Sequence, residues 1–278
     1  MTKSLVVGAS GTVGKELVKL LTEGGHHVAR ATSKREGLAP DQVHLDLVGG
    51  TGIKEAFAGV DRAFLLSPPG YTNQHQLLAP LIEQSKAASL SKVVLMTAMG
   101  ANAFEASPMR QAELALEKSG LAYNIIRPNW FMQNFNSYWL QGIRSANKIS
   151  LPVGQAKTSF IDARDIAATA SALLQTDEFS NRDFDLTGPE SLTHGQVAGL
   201  ISEATGKAIT FEDSTPEALL SQLDKAGLPR DYAEFLVMIL GALKQGHAER
   251  RTDAVQAITG RAPIAFAQYA RDYRAAWM

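Results

Sequence analysis

Three glycines, Gly8, Gly11 and Gly14, recur every third residue in "GASGTVG", directly after a short apolar run and at the start of an amphipathic one. Glycine there permits a tight turn and lets main-chain N–H groups approach an anion, whose charge the following helix N-terminus favours. The chemistry is the cradling of a pyrophosphate; the alternative is a strand-to-helix turn that holds nothing. The next informative stretch is "RATSKRE". A carboxylate at this place would hydrogen-bond a ribose 2′-hydroxyl. Instead Ser33, Lys34 and Arg35 precede the first acid, Glu36. A hydroxyl with two cations suits a 2′-phosphate through charge-assisted hydrogen bonds, which selects NADP over NAD. A solvated surface cluster is the other reading.

Asp46, followed by Leu47 in "VHLDL", is placed to accept from an adenine amino group or, equally, to cap a turn. "LLSPPG" puts Ser67, Pro68 and Pro69 at the carboxyl end of a strand, where open α/β sheets bind ligands. Its two prolines make a rigid loop without backbone donors, suited to lining a nicotinamide. The six histidines show no metal-ligand spacing, and with no cysteine, thiolate metal sites, disulfides and cysteine nucleophiles are excluded.

Short β-rich runs alternating with helical stretches must position these residues. The expected strands are 4–8, 27–32, 43–46, 62–67, 92–97 and 123–127. Between the first two lies a helix with Val13, Leu17, Leu20 and Leu21 on one face. A further helix is predicted with Ser107 as N-cap and Pro108 in its first position. This pattern gives an α/β chain with a doubly wound parallel sheet. Residues 1–150, with contributions from about 155–188, are assigned to the nucleotide-binding domain. Residues 189–278 read as a smaller, mostly helical substrate lobe.

The bulk composition is that of an ordinary globular chain: 278 residues, 45% hydrophobic, 20% charged, net charge −1. No basic field exists to attract nucleic acid or anionic lipid. The longest apolar run, Phe235 to Leu243, is half of the roughly 18 residues that a membrane span needs. No leader is read before Leu5, so a cytoplasmic protein is expected; a homodimer is left open.

Taken together, the glycine pattern, "FLLSPP", "IIRPNWFMQNF", "SFIDARDIA", "LTGPESLTHGQVAGLISEATGK" and "TGRAPIAFAQYARDYRAAW" resemble the NmrA-like group of atypical short-chain dehydrogenase/reductases over nearly the whole chain. That group includes NADPH-dependent quinone, azo-dye and triphenylmethane-dye reductases, iminium reductases and non-catalytic NADP sensors. The resemblance implies a Rossmann-type fold. It implies a cofactor held by Gly8, Ser10, Gly11, Thr12 and Val13, by Ser33–Arg35, by Ser67–Pro69 and by Pro128. It further implies a small aromatic or quinoid substrate, in a pocket for which Met99, Met109, Trp130, Phe131, Asn134 and Tyr138 are candidates.

Short-chain dehydrogenases usually carry a Tyr-xxx-Lys pair, often with a glutamate four residues after the lysine. If Glu113 is that glutamate, Met109 stands at the lysine position and Glu105 at the tyrosine position. Both catalytic functions are then missing, and no catalytic residue is assigned. Tyr123 and Arg127 have the right spacing but belong to a predicted buried strand. Arg110 is expected to be an exposed helical arginine; the other reading is contact with a cofactor phosphate or ribose. The implied activity is NADPH-dependent hydride transfer to a flat, electron-poor substrate without flavin or metal; the alternative is an NADP-binding redox sensor that regulates a partner protein.

Overall fold

The computed structural model describes residues 2–278. In chain order the elements begin with β1 (Lys3–Val6), α1 (Thr12–Glu23), β2 (His27–Thr32), β3 (Gln42–His44), α2 (Ile53–Ala56), β4 (Arg62–Leu66), α3 (Gln74–Ala87), β5 (Lys92–Met96), α4 (Pro108–Glu117) and β6 (Tyr123–Pro128). There follow α5 (Leu140–Ala146), β7 (Lys148–Leu151), β8 (Lys157–Thr158), α6 (Ala163–Gln175), β9 (Arg182–Leu186), β10 (Leu192–Thr193), α7 (His194–Thr205) and β11 (Thr210–Asp213). The chain closes with α8 (Pro216–Lys225), α9 (Arg230–Lys244), α10 (Ala254–Thr259) and α11 (Phe266–Asp272).

Seven strands form one parallel sheet in the order β3-β2-β1-β4-β5-β6-β9, the doubly wound order expected of alternating strands and helices. Its central strands are apolar on both faces. Leu5, Leu65, Val93, Leu95 and Ile125 are buried on one side, and Val6, Phe64, Val94 and Ile126 on the other, as a sheet covered by helices on both faces requires. The predicted helix starts are found. Val13, Leu17 and Leu21 of α1 are buried in one stripe, and Ser107 accepts the Arg110 N–H at 3.2 Å with Pro108 in the first position of α4.

The chain divides into two compact units. The first runs to Pro128 and adds Ala163–Asp185 and Ala257–Gly260; the second comprises Asn129–Asp162, Leu186–Gln256 and Arg261–Met278. The change of unit therefore falls at the end of β6 rather than near residue 150. Residues 129–150 pack with the later helices, because Met132, Phe135 and Ile143 join the second core. That unit is mostly helical but also holds two small sheets that the sequence reading did not foresee, β7 paired in parallel with β11 and β8 antiparallel to β10.

The second core is aromatic. The Phe135 ring meets Trp139 at 4.6 Å and both Phe160 and Phe266 at 5.3 Å between centroids. The Trp277 indole N–H donates to the Phe135 carbonyl at 2.8 Å. Inside this cluster sits His194, fully buried among Phe135, Trp139, Phe160 and Phe211. Neither ring nitrogen has a hydrogen-bond partner among the described residues. Burial among rings penalises the imidazolium and pushes its pKa down to about 4.

The unfolded chain therefore takes up the His194 proton near its ordinary pKa of about 6.5, whereas the native state does so only near 4. Stability falls as pH drops through that window, by about 3 kcal/mol for a shift of this size. His194→Leu is expected to lose that slope and to gain on the wild type progressively from pH 7 to pH 4 in chemical denaturation. Parallel pH dependences for the two proteins would contradict the burial account.

Candidate functional site

Parallel strands deliver their carboxyl ends to one edge of the sheet, and the sequence-predicted residues of the first unit lie along it. β1 leads into the glycine loop and β2 into Ser33–Arg35. β3 is followed by Asp46 and β4 by Ser67–Pro69; Met99 lies just beyond β5, and Pro128 ends β6. The Met99 N–H donates to the Pro128 carbonyl at 3.0 Å, which sets these two side by side.

The glycine loop is built for close approach. Gly8 has φ +69°, and the Gly11 N–H donates to the Gly8 carbonyl at 2.9 Å. A Cβ on Gly14 would stand 2.1 Å from the Gly8 oxygen, so only glycine lets α1 pack this tightly on the loop. Gly11 caps α1 without a side-chain acceptor, and the first turn holds no acid. The N–H groups of a helix's first turn have no partner within the helix, and no carboxylate here offsets its positive pole. Ser10, Gly11 and Thr12 are exposed, whereas the Val13 side chain faces the core, leaving Val13 only its backbone to offer. These features fit a pyrophosphate.

Ser33, Lys34 and Arg35 are all exposed, and among the described residues neither cation is in an ion pair. Of the two readings of Asp46, the turn cap is seen: its Oδ1 accepts the N–H groups of Val48 (3.1 Å) and Gly49 (3.0 Å). Leu47 packs against the first core. Ser67 and Pro68 are half-buried, and Pro69 is exposed.

The pattern behind the missing pair is now explicit. α4 begins at Pro108, so Glu105 lies in the turn before it and Met109 is its second residue, half-buried. A phenol at 105 and an ammonium at 109 would not share a helix face even if present. Glu113 is fully buried and held by a bidentate Arg127: Nε to Oε1 and Nη2 to Oε2, both 2.8 Å. Thr97 donates to Oε1 at 2.6 Å and Arg110 to Oε2 at 2.9 Å. Arg127 also pairs with Asp183, and Arg110 with Glu117 at 2.7 Å. Arg110, expected to be an exposed arginine, is instead bound into this cluster.

Burial by itself raises the Glu113 pKa, but the bonds from Arg127 and Thr97 outweigh it and hold the carboxyl below its usual range. Burial likewise opposes the Arg127 cation, and Glu113 and Asp183 reverse that, so both groups stay ionised. The cluster ties α4 to β5 and β6; it does not supply a proton donor. Glu113→Leu would strand Arg127 in the interior and is expected to cost about 3 kcal/mol in urea denaturation at pH 7. A cost below about 1 kcal/mol, the level of a surface pair, would contradict the buried pairing.

The remaining substrate candidates lie in the second unit. Trp130 is half-buried and stacked on Trp139 at 6.2 Å, while Phe131 bridges to Ile161. The Asn134 carbonyl accepts the Trp139 N–H at 3.0 Å, and Tyr138 is 71% exposed. A cleft of about 470 Å³ in this unit is lined by Lys157, Glu190, Ser191, Leu192, Glu249 and Arg251, none of them a candidate from sequence. Among the described residues no group of three or more His, Cys, Asp or Glu side chains is arranged to hold a metal, and no helix is long and apolar enough to cross a membrane.

Known proteins resemble the chain in sequence and fold. A family model described as NAD(P)H-binding matches residues 8–177. The NAD(P)H azoreductase of Xenophilus azovorans is 31% identical over 285 residues, covering 98% of this chain and 98% of its own. Two solved structures share the fold. Triphenylmethane reductase of Citrobacter sp. complexed with NADP(H) has a TM-score of 0.84 at 18% identity, covering 98% of this chain and 99% of that one. The negative transcriptional regulator NmrA in complex with NADP has a TM-score of 0.76 at 16% identity, covering 98% and 95%. With the glycine cradle at the head of the matched segment and an oxidoreductase aligned along almost its full length, the chain belongs to the NAD(P)H-binding family and is NmrA-like in fold.

Proposed function

We propose that the protein is an NADPH-dependent reductase of flat, electron-poor substrates: quinones, azo dyes, cationic triarylmethane dyes or iminium ions. The observation that carries this reading is a sheet edge with a tight, acid-free glycine loop and two exposed cations, in a unit where the usual proton donor is absent. The main chain of Gly8 and Ser10–Val13, with Ser10, Gly11 and Thr12 exposed, would hold the pyrophosphate, and Lys34 and Arg35, in no ion pair among the described residues, with Ser33, the 2′-phosphate. Ser67–Pro69, Met99 and Pro128 would border the nicotinamide half. A reduced nicotinamide bound there supplies hydride.

Glu105, Met109 and the neutralised Glu113–Arg127 cluster offer no acid to a developing alkoxide, which disfavours simple ketones as substrates. Hydride addition to an iminium or triarylmethane cation gives a neutral product directly. Addition to a quinone or azo group gives an anion that takes its proton from solvent. Such reactions ask the protein mainly to orient two flat rings and exclude water. Within the second unit, Trp130, Phe131, Asn134 and Tyr138 are the residues we assign to the substrate. The full-length likeness to an azoreductase supports the dye class.

A second reading, an NADP-binding sensor that acts on a partner protein, is favoured by the same missing donor and by the likeness to NmrA. Anaerobic oxidation of NADPH and NADH by the purified protein, followed by loss of the reduced-nicotinamide absorbance over a panel of quinones, azo dyes and cationic dyes, separates the two. Turnover with at least one substrate class, faster with NADPH, is the expected result. Tight NADP(H) binding with no turnover on any of them would overturn the reductase in favour of the sensor.

A further inference from the structure

Lys34 is held through its backbone from a neighbouring strand. The His44 ring, at the end of β3, places Nδ1 3.0 Å from the Lys34 carbonyl and Nε2 3.0 Å from the Thr51 hydroxyl. A carbonyl only accepts, so Nδ1 carries a proton; in the neutral ring the Thr51 hydroxyl then donates to Nε2. On the other side the Lys34 N–H donates to Thr32 Oγ1 at 3.3 Å. Both polar backbone atoms of Lys34 are thus anchored, while the side chains of Ser33, Lys34 and Arg35 are exposed. Thr51 is fixed in turn: it exchanges backbone bonds with Asp46 at 2.9 and 3.1 Å. Gly52, with φ +78°, leaves the space that the ring needs, since a Cβ there would stand 2.7 Å from His44 Cδ2 and 2.4 Å from the His44 carbonyl.

We propose that His44 is a positioning residue for cofactor selection, presenting Ser33, Lys34 and Arg35 as a preformed subsite for a ribose 2′-phosphomonoester. The inference rests on the assignment of that loop to the 2′-phosphate. Two exposed cations on a free loop lose side-chain and backbone entropy on closing around a phosphate; fixing the loop beforehand removes part of that cost. The ring acts through the Lys34 carbonyl and does not itself touch the phosphate. An NAD molecule, having no 2′-phosphate, gains nothing from the anchor.

The test is isothermal titration of the purified protein with NADP⁺ and, separately, NAD⁺, for the wild type and three variants. His44→Phe keeps a ring but removes both bonds. It is expected to weaken NADP⁺ by about tenfold, the worth of one good hydrogen bond, with little change for NAD⁺. His44→Asn keeps a donor near the Nδ1 position and is expected to recover most of the loss. Thr51→Val removes only the outer contact and should fall between. If the wild type binds NAD⁺ as tightly as NADP⁺, the loop assignment fails and this inference falls with it. If the wild type discriminates and His44→Phe discriminates equally well, or loses both nucleotides alike, the inference alone is overturned. Should His44→Phe not fold, the Asn and Val variants decide it: unaltered NADP⁺ affinity in Thr51→Val together with an unrescued loss in His44→Asn would refute the anchor.

Discussion

The approach of α1 to the loop after β1 is the constraint on which the rest depends. With no Cβ at residue 14, the helix backbone lies against the Gly8 carbonyl at a distance that any side chain would forbid. That contact brings the first turn of the helix, whose leading N–H groups have no partner within the helix, to the carboxyl edge of the sheet. The strand order then places the ends of β2 and β4 on either side of it. One crossover distance and one strand order therefore set an open helix terminus between two flanks. On one flank lie exposed cations, on the other the Ser67–Pro69 turn.

Charge is used in two opposite ways in the same unit. Glu113 and Arg127 are buried and satisfy each other with two parallel bonds, and Thr97, Arg110 and Asp183 complete the cluster. Desolvation makes such groups costly unless every one is paired, so the cluster holds β5, β6 and α4 together and is unavailable for proton transfer. The Lys34 and Arg35 side chains are exposed and, among the described residues, in no ion pair. No protein carboxylate among the described residues neutralises them, which is what the proposed recognition of a 2′-phosphate asks for.

Local signals carried most of the fold in the sequence. The glycine spacing announced the turn between β1 and α1, and Ser107-Pro108 announced the start of α4 to the residue. The apolar runs located the six strands within a residue or two at either end. What stayed hidden depends on partners distant in the chain. β7 and β11 are four-residue strands whose partners lie some 60 residues apart, and neither has a periodicity long enough to register. The end of the first unit at Pro128 follows from where Met132 and Phe135 find their core, not from a break in composition. The glycine loop and the Ser33–Arg35 cations were legible because each is a contiguous motif. The pairing of Glu113 with Arg127 and the anchoring of Lys34 by His44 were not, since each joins separate elements. His194 resembles any polar residue beside a helix cap until Phe135, Phe160 and Phe211 are seen around it.

The central claim, that this edge binds NADP(H) with the 2′-phosphate on the β2 loop, is tested most directly by a crystal structure of the protein grown with NADP⁺. The expected result is a pyrophosphate against the main chain of Gly8–Val13 and a 2′-phosphate within ion-pair distance of Lys34 and Arg35. A pyrophosphate bound elsewhere, or a 2′-phosphate turned to solvent away from both cations, would contradict it.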